Sequence, residues 1–383
     1  MISLKLIQCL QLNKVIVMAQ HQARINEIDG IRGWAALVVL LYHAFGEMLK
    51  FSVPEVHGAW FAPLLAGDIA VAIFFVLSGD ALSSGYFASG GYKVIDRLLV
   101  RRYLRLTIPI FMSCLLTYMI MIAGLDYHME ASVILQRPDW LGQFLQFNES
   151  LIGFLRYSLI GVYIYHTHEL SYNPFLWTMS IEMAGSMMVF LLCYLWQRLK
   201  KPQWVLFGLV VWLTVIGSFF SLFFAGMLLG YFRQQGYFEK FLHQRSHQYL
   251  ALGFVAGIVG ISIATAGMHR PAALMPLMLL VAIVLVFCFY TQKHIKAFFC
   301  NPLSHFLGEI SFPLYLVHFQ VLISLMSWLV IQDYVAKGKV DQLAVLGFAC
   351  IAVVASVFAA WCFRLIERLV LKRVDALVLP ILI

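Results

Sequence analysis

Ten residues separate Arg32 from His43 in the run Ile28-Asp29-Gly30-Ile31-Arg32-Gly33-Trp34 that continues, apolar throughout, to Leu41-Tyr42-His43. On a helix rising ~1.5 Å per residue the two lie roughly 16 Å apart along the axis. With Arg32 at one membrane surface, His43 reaches the middle of a hydrocarbon core ~30 Å thick. A titratable imidazole in hydrocarbon is costly, so it usually faces a cavity and acts there. An imidazole can serve as general base or as nucleophile. The plain alternative is a hydrogen bond across helices, as polar side chains make in membrane bundles. Asp29 and Arg32 at the mouth of the same helix favour chemistry, because they set a polar gradient leading inward.

Four further stretches carry groups of the right kind. Phe74-Phe75-Val76-Leu77-Ser78-Gly79-Asp80 offers a small Ser78-Gly79 pair, which suits either close helix packing or a narrow passage beside His43. The Asp80 carboxylate needs a partner, for which Arg102 is one candidate. In Arg101-Arg102-Tyr103-Leu104-Arg105 the second and last arginines share a helix face. Their planar guanidinium forks suit phosphate groups, although a cluster of this kind also anchors a helix on the positive side of a membrane. Asn173-Pro174-Phe175-Leu176-Trp177-Thr178-Met179-Ser180-Ile181-Glu182 places Glu182 two turns into an apolar segment. There it can orient an imidazole, bind a hydroxyl or pair with an arginine. Ser311-Phe312-Pro313-Leu314-Tyr315-Leu316-Val317-His318 puts Tyr315 and His318 on one face, and a helix-to-helix hydrogen bond is the favoured role.

The elements that must hold these residues are membrane helices. The 383 residues are 62% hydrophobic and 12% charged, with a mean hydropathy of +0.85, against about 25% charged in soluble domains. The expected fold class is all-α, a polytopic bundle of about ten spans near 34–50, 68–87, 106–124, 175–197, 203–217, 219–232, 249–267, 273–290, 311–331 and 341–362. Gly217-Ser218 is either a tight turn or a kink. With both termini in the cytoplasm, 21 of the 27 Lys and Arg residues fall in inner segments, leaving Lys50, Arg137, Arg156, Arg270, Lys337 and Lys339 outside. That asymmetry predicts the N-in, C-in orientation, and it reads the net charge of +8 as membrane topology rather than nucleic-acid binding. The longest outer connection, about 125–174, is aromatic and partly amphipathic, so part of it is expected at the membrane interface.

The first 27 residues lack the pattern of a signal peptide and read as a cytoplasmic segment, with Met18 as an alternative start. Residues 28–370 form the membrane domain and 371–383 a tail. The seven cysteines form no CxxC pair and read as apolar fillers. His166-Thr167-His168-Glu169 lacks an evident third ligand, so no metal site is expected. No Walker loop, dinucleotide fingerprint or GxSxG elbow is present.

Taken in order, these elements resemble the acyltransferase 3 family of membrane-embedded acyltransferases. The resemblance rests on Asp29-Gly30-x-Arg32-Gly33 with His43, Phe74-Phe75-Val76-Leu77-Ser78-Gly79, Arg102-x-x-Arg105, Leu176-Trp177-Thr178-x-Ser180-x-Glu182 and Pro313-Leu314-Tyr315-Leu316-x-His318. It implies transfer of an acyl group, commonly acetyl from acetyl-CoA, to a hydroxyl of an extracytoplasmic acceptor. Such acceptors are typically a carbohydrate of a surface polysaccharide or a glycolipid such as lipopolysaccharide, at a bacterial inner membrane. On this reading His43 and Glu182 are catalytic, Arg32, Ser78, Gly79, Arg102 and Arg105 bind the acyl-CoA, and Asp29, Asp80, Trp177, Tyr315 and His318 support them. The chain departs from the family pattern at Asp80, where an aromatic or aliphatic residue usually follows the Ser-Gly pair. It departs again after Glu182, where Met183 to Ser186 replace a second acidic residue and aromatics. Some members carry a fused extracytoplasmic hydrolase-like domain; here delivery is expected either directly from the bundle or through a partner protein on that side. The alternative from another class is a transporter or flippase for a glycan or lipid precursor, against which the absence of visible inverted repeats counts.

Overall fold

A computed structural model describes residues 27–58, 61–89, 91–164, 171–264 and 272–382. The N-terminal segment with Met18, and the His166–Glu169 stretch, lie outside the described residues. Among these residues the fold is helical, with no strand. Ten long helices carry the architecture: α1 Glu27–Glu47, α2 Gly67–Ser89, α3 Tyr92–Ile122, α4 Pro174–Trp196, α5 Pro202–Val215, α6 Phe220–Gln234, α7 Arg245–Ala264, α8 Met275–Thr291, α9 Pro302–Lys337 and α10 Gln342–Leu382. They match the ten expected segments in position. Seven of them, α1 to α4, α7, α9 and α10, are long and apolar enough to cross a membrane alone. An eighth candidate is α8 taken with Lys293–Phe299, into which the chain turns by 90°. The helices α5 and α6, with 14 and 15 residues, are short for a span.

Between α5 and α6 the chain makes a tight turn, not a kink. Gly217 has φ +73°, its N–H donates to the Thr214 carbonyl, and the Ser218 N–H donates to that of Leu213. This is the paired closure by which a left-handed glycine ends a helix.

Glycine sets the two contacts that matter most for the site. A Cβ on Gly79 would stand 2.0 Å from the Phe223 carbonyl oxygen, and one on Gly226 1.9 Å from that of Val76, so α2 and α6 touch backbone to backbone, running parallel. Around them lies the largest core cluster, which includes Phe75, Val76, Phe223, Met227 and Val286. Gly33 and Gly308 do the same for α1 and α9: a Cβ on Gly33 would lie 2.4 Å from the Gly308 nitrogen. Trp34 adds a hydrogen bond from its indole N–H to Ser304 Oγ at 2.8 Å. Ten residues further along each of these parallel helices come His43 and His318. The glycines of the first motif thus set the register that brings two histidines together.

Both histidine-bearing helices change winding where it counts. Tyr42–Glu47 forms a π-turn, closed by the Met48 N–H donating to the His43 carbonyl, and Leu322–Met326 forms another four residues beyond His318. Such turns are often found at functional sites, since they re-aim side chains.

Candidate active site

The imidazoles of His43 and His318 meet at 3.0 Å, Nδ1 to Nε2. His318 is buried, and its own Nδ1 lies 2.8 Å from the Leu314 carbonyl. A carbonyl can only accept, so His318 Nδ1 carries a proton and, in the neutral ring, Nε2 accepts. His43 must then donate from Nδ1, which leaves its Nε2 with a lone pair. The chain Leu314 O, His318, His43 therefore holds the half-buried His43 in the tautomer of a base or nucleophile at Nε2.

Phe175 covers this pair. Its ring stacks on His43 with centroids 3.9 Å apart and on His318 at 4.9 Å, while Trp140 from the long connection closes over His43 at 6.0 Å. Phe175 is placed by Asn173, whose side-chain oxygen accepts the Phe175 N–H at 3.1 Å and whose amide donates to the Leu316 carbonyl at 3.0 Å. Ser113 Oγ donates to the same carbonyl at 2.7 Å. These bonds tie α3, α4 and α9 together midway between Tyr315 and His318.

One helical turn from the histidine pair lies a cavity of about 120 Å³, lined by Val39 and Tyr315 but by neither imidazole. Every one of the five motifs lines it, through Arg32, Phe74, Phe75, Ser78, Arg102, Thr178, Glu182, Ser311 and Tyr315. Tyr315 bonds Thr178 Oγ1 at 2.7 Å and donates to the Phe175 carbonyl, which makes it the link from the cavity to the ring stack on His43. Arg32 makes no ion pair or hydrogen bond among the described residues, and its Nε is buried without a partner. Asp29, one turn earlier on α1, is within electrostatic reach of Arg32 but makes no ion pair with it, so the guanidinium keeps donors that an anion in the cavity can use.

Of the roles open to Glu182, the structure shows the pairing with an arginine, and the carboxylate makes no contact with His43. Its carboxylate forms an ion pair with Arg102, whose Nε also donates to Ser186 Oγ at 2.9 Å. A carboxylate and a guanidinium attract one another more strongly than either attracts a neutral ring. The group that orients His43 is His318. Arg102 lies within α3, which starts at Tyr92, well before the expected 106, and its side chain lines the cavity. Arg105, three residues on, is exposed and does not line the cavity. Gly79 faces Phe223 of α6, so of the Ser-Gly pair only Ser78 reaches the cavity. Trp177 lies outside it, packed on Phe219 at 5.9 Å. Asp29 sits at the α1 to α9 contact, its backbone carbonyl 2.5 Å from where a Gly308 Cβ would stand.

Asp80 does not pair with Arg102. Fully buried, it accepts from Arg233 Nη2 at 2.5 Å and from the Tyr290 hydroxyl at 2.7 Å, with the Arg233 guanidinium 4.8 Å from the centre of the Tyr290 ring. Gly230 leaves room for the carboxylate: a Cβ there would lie 2.6 Å from Oδ1. The departure from the family pattern is a clamp joining α2, α6 and α8.

On the other side of His43 is a second polar chain. Tyr42 donates to Glu47 Oε1 at 2.5 Å, and Arg137 Nη2 donates to Glu47 Oε2 at 2.7 Å. Arg137 is 1% exposed, which is unusual for the residue type. It pins the long connection onto the π-turn that carries His43. A carboxylate at the end of an apolar run and a lone arginine within an aromatic loop were the available signals for this pair, and neither points to the other in sequence.

The acyltransferase 3 family model, described as an acyltransferase domain, matches residues 25–365. The chain belongs to the acyltransferase 3 family. It is 25% identical over 362 residues to O-acetyltransferase PaAT-1 of Phomopsis amygdali, covering 76% of this chain and 71% of that protein. No solved structure matches. As a family member the chain is an integral membrane O-acyltransferase, which sets aside the transporter alternative. Among the described residues no cluster of His, Cys, Asp or Glu could hold a metal.

Proposed function

We propose that this protein moves an acetyl group from acetyl-CoA to a hydroxyl of a carbohydrate or glycolipid acceptor across a bacterial inner membrane. The observation that carries the reading is the convergence of all five motifs on one cavity, which holds Arg32 with its buried, unbonded Nε and lies one helical turn from the His43–His318 pair. The end of the bundle where α1 begins is the cytoplasmic one on this reading, in keeping with the placement of 21 of the 27 Lys and Arg residues.

Arg32, with Arg102 behind it, binds phosphate of the donor, and the thioester reaches in past Ser78 towards Tyr315. The acceptor hydroxyl approaches His43 from the side of Trp140. His43 Nε2 takes the hydroxyl proton, the oxygen attacks the thioester carbonyl, the carbon–sulfur bond breaks, and the CoA thiolate leaves with that proton. The imidazolium that forms transiently on His43 is stabilised through Nδ1–H to His318. A two-step variant, in which Nε2 first takes the acyl group and then passes it to the hydroxyl, uses the same atoms. Arg102 and Glu182 act as a neutral pair shaping the cavity wall.

The test is transfer from labelled acetyl-CoA by the purified protein in lipid vesicles, with an extract of surface glycans and lipids as acceptor. His43→Ala abolishes transfer on this reading. Mass spectrometry of the same fractions from cells with and without the protein identifies the acceptor as the species that loses acetyl groups. Normal transfer by His43→Ala, or an unchanged glycan and lipid profile, refutes the reading.

A further inference from the structure

At the end of the bundle where α1 begins, a groove of about 740 Å³ opens between the start of α7 and the 90° bend after α8. Its cations are Arg245, Lys293 and Lys296, His243 and His294 line it too, and none of the described residues lining it is acidic. Lys296 is committed to Glu27 at 2.9 Å, but Arg245 and Lys293 are exposed and make no ion pair among the described residues. Glu239, on the same short helix as His243, does not line the groove.

The floor is firmly built. The Gln248 side-chain amide donates to the carbonyls of Phe241 at 2.9 Å and Thr291 at 2.7 Å, and its oxygen accepts the Lys293 N–H at 2.8 Å. His247 Nε2 lies 2.9 Å from Thr291 Oγ1. One glutamine thus joins the three segments that form the walls, and the cations project from a fixed frame.

The groove has an apolar exit. Tyr249 and Leu252 line it on α7 and are 75% and 48% exposed. Only 11% of the α7 span is buried within the protein, so this helix stands at the edge of the bundle with its sides turned to the bilayer. None of the lining residues is shared with the cavity that holds Arg32.

We propose that this groove binds the headgroup of an anionic phospholipid, with Arg245 and Lys293 on the phosphate and the acyl chains lying along α7 from Tyr249 to Leu252. Basic pockets between membrane helices bind such headgroups through charge, and an aromatic ring belongs at the headgroup level. The continuous path from cations to a lipid-facing helix favours a lipid over a soluble phosphate. At about fivefold in affinity per cation, loss of both costs about 25-fold.

Native mass spectrometry of the purified full-length protein, titrated with phosphatidylglycerol or phosphatidylcholine, reads the site. Phosphatidylglycerol is expected to bind and phosphatidylcholine not. Arg245→Gln/Lys293→Gln is expected to lose phosphatidylglycerol about 25-fold, whereas Arg245→Lys/Lys293→Arg keeps it, which separates charge from folding. Lys200→Gln/Lys201→Gln, a matched charge change on the α4 to α5 connection, is expected to leave binding intact. Equal losses in both glutamine double variants, equal binding of phosphatidylcholine, or displacement of the lipid by CoA or inorganic phosphate at matching concentration overturns the proposal.

Discussion

Replacing His318 with phenylalanine removes the acceptor of the hydrogen bond that selects the tautomer of His43, while filling most of the same buried volume. The bond measures 3.0 Å between Nδ1 of His43 and Nε2 of His318. A neutral hydrogen bond is worth about 0.5–1.5 kcal/mol net, which by itself is about two- to tenfold in rate at 1.36 kcal/mol per decade. The tautomer adds to this. Without His318 the ring can carry its proton on Nε2, facing the substrate, and the general-base contribution of about 10²–10⁴ is then lost for that fraction of molecules. The imidazolium formed in the transition state also loses its acceptor. We expect kcat to fall by about ten- to a thousandfold, with KM for acetyl-CoA changed less than about threefold because Arg32 is untouched. His318→Gln places an amide oxygen near the position of Nε2 and should recover much of the loss. The assay is steady-state release of CoA thiol from acetyl-CoA by purified protein in vesicles, with thermal unfolding recorded for each variant. A phenylalanine variant with normal kcat refutes the tautomer argument. So does a folded glutamine variant no more active than the phenylalanine one.

Arg32→Gln should raise KM for acetyl-CoA by about 10- to 100-fold, the worth of a charged hydrogen bond, with a smaller effect on kcat; a kcat loss at constant KM would count against a donor-binding role. Arg137→Gln or Glu47→Gln should lower kcat and leave KM for acetyl-CoA unchanged, because the π-turn carrying His43 loosens on the side away from the donor cavity; Arg137→Lys should restore part of the rate. Asp80→Ala strands the buried Arg233 cation and should cost about 3–5 kcal/mol, read as a lower midpoint of thermal unfolding, with Asp80→Ala/Arg233→Met closer to wild type than Asp80→Ala alone. Gly226→Leu should prevent close approach of α2 and α6 and lower the yield of folded protein, whereas Gly257→Leu, with open space around its Cβ, should be tolerated; equal effects at both positions would show that the α2 to α6 contact does not decide folding.

The membrane helices were legible because hydropathy acts locally. A segment must be apolar over its own length to enter a bilayer, so composition reveals it without knowledge of its neighbours. The positions of the apolar helices followed from this, seven of them long enough to span alone, whereas the five motifs that line the cavity were read from their polar residues and spacing. Less legible was which polar group meets which. Glu182 was within reach of a histidine or an arginine as far as spacing could tell, and Asp80 had Arg102 as a candidate. Their actual partners, Arg102 and Arg233, are 80 and 153 residues distant, and only helix packing selects among such pairings. Arg105 shares a helix face with Arg102 by periodicity, yet the packing of α3 leaves Arg102 in the cavity wall and Arg105 exposed outside it.

The sequence by itself determined an all-helical membrane chain, a buried histidine with cations on the path to it, and the glycines needed for close packing. Only the tertiary structure decided that Gly33 on Gly308 sets α1 and α9 in one register, so that His43 meets His318, and that the Leu314 carbonyl at the end of this chain leaves the His43 lone pair on Nε2. The physical reason is range. Hydrophobicity and helix period are properties of neighbours along the chain, whereas a tautomer is fixed by a hydrogen bond between residues 275 apart.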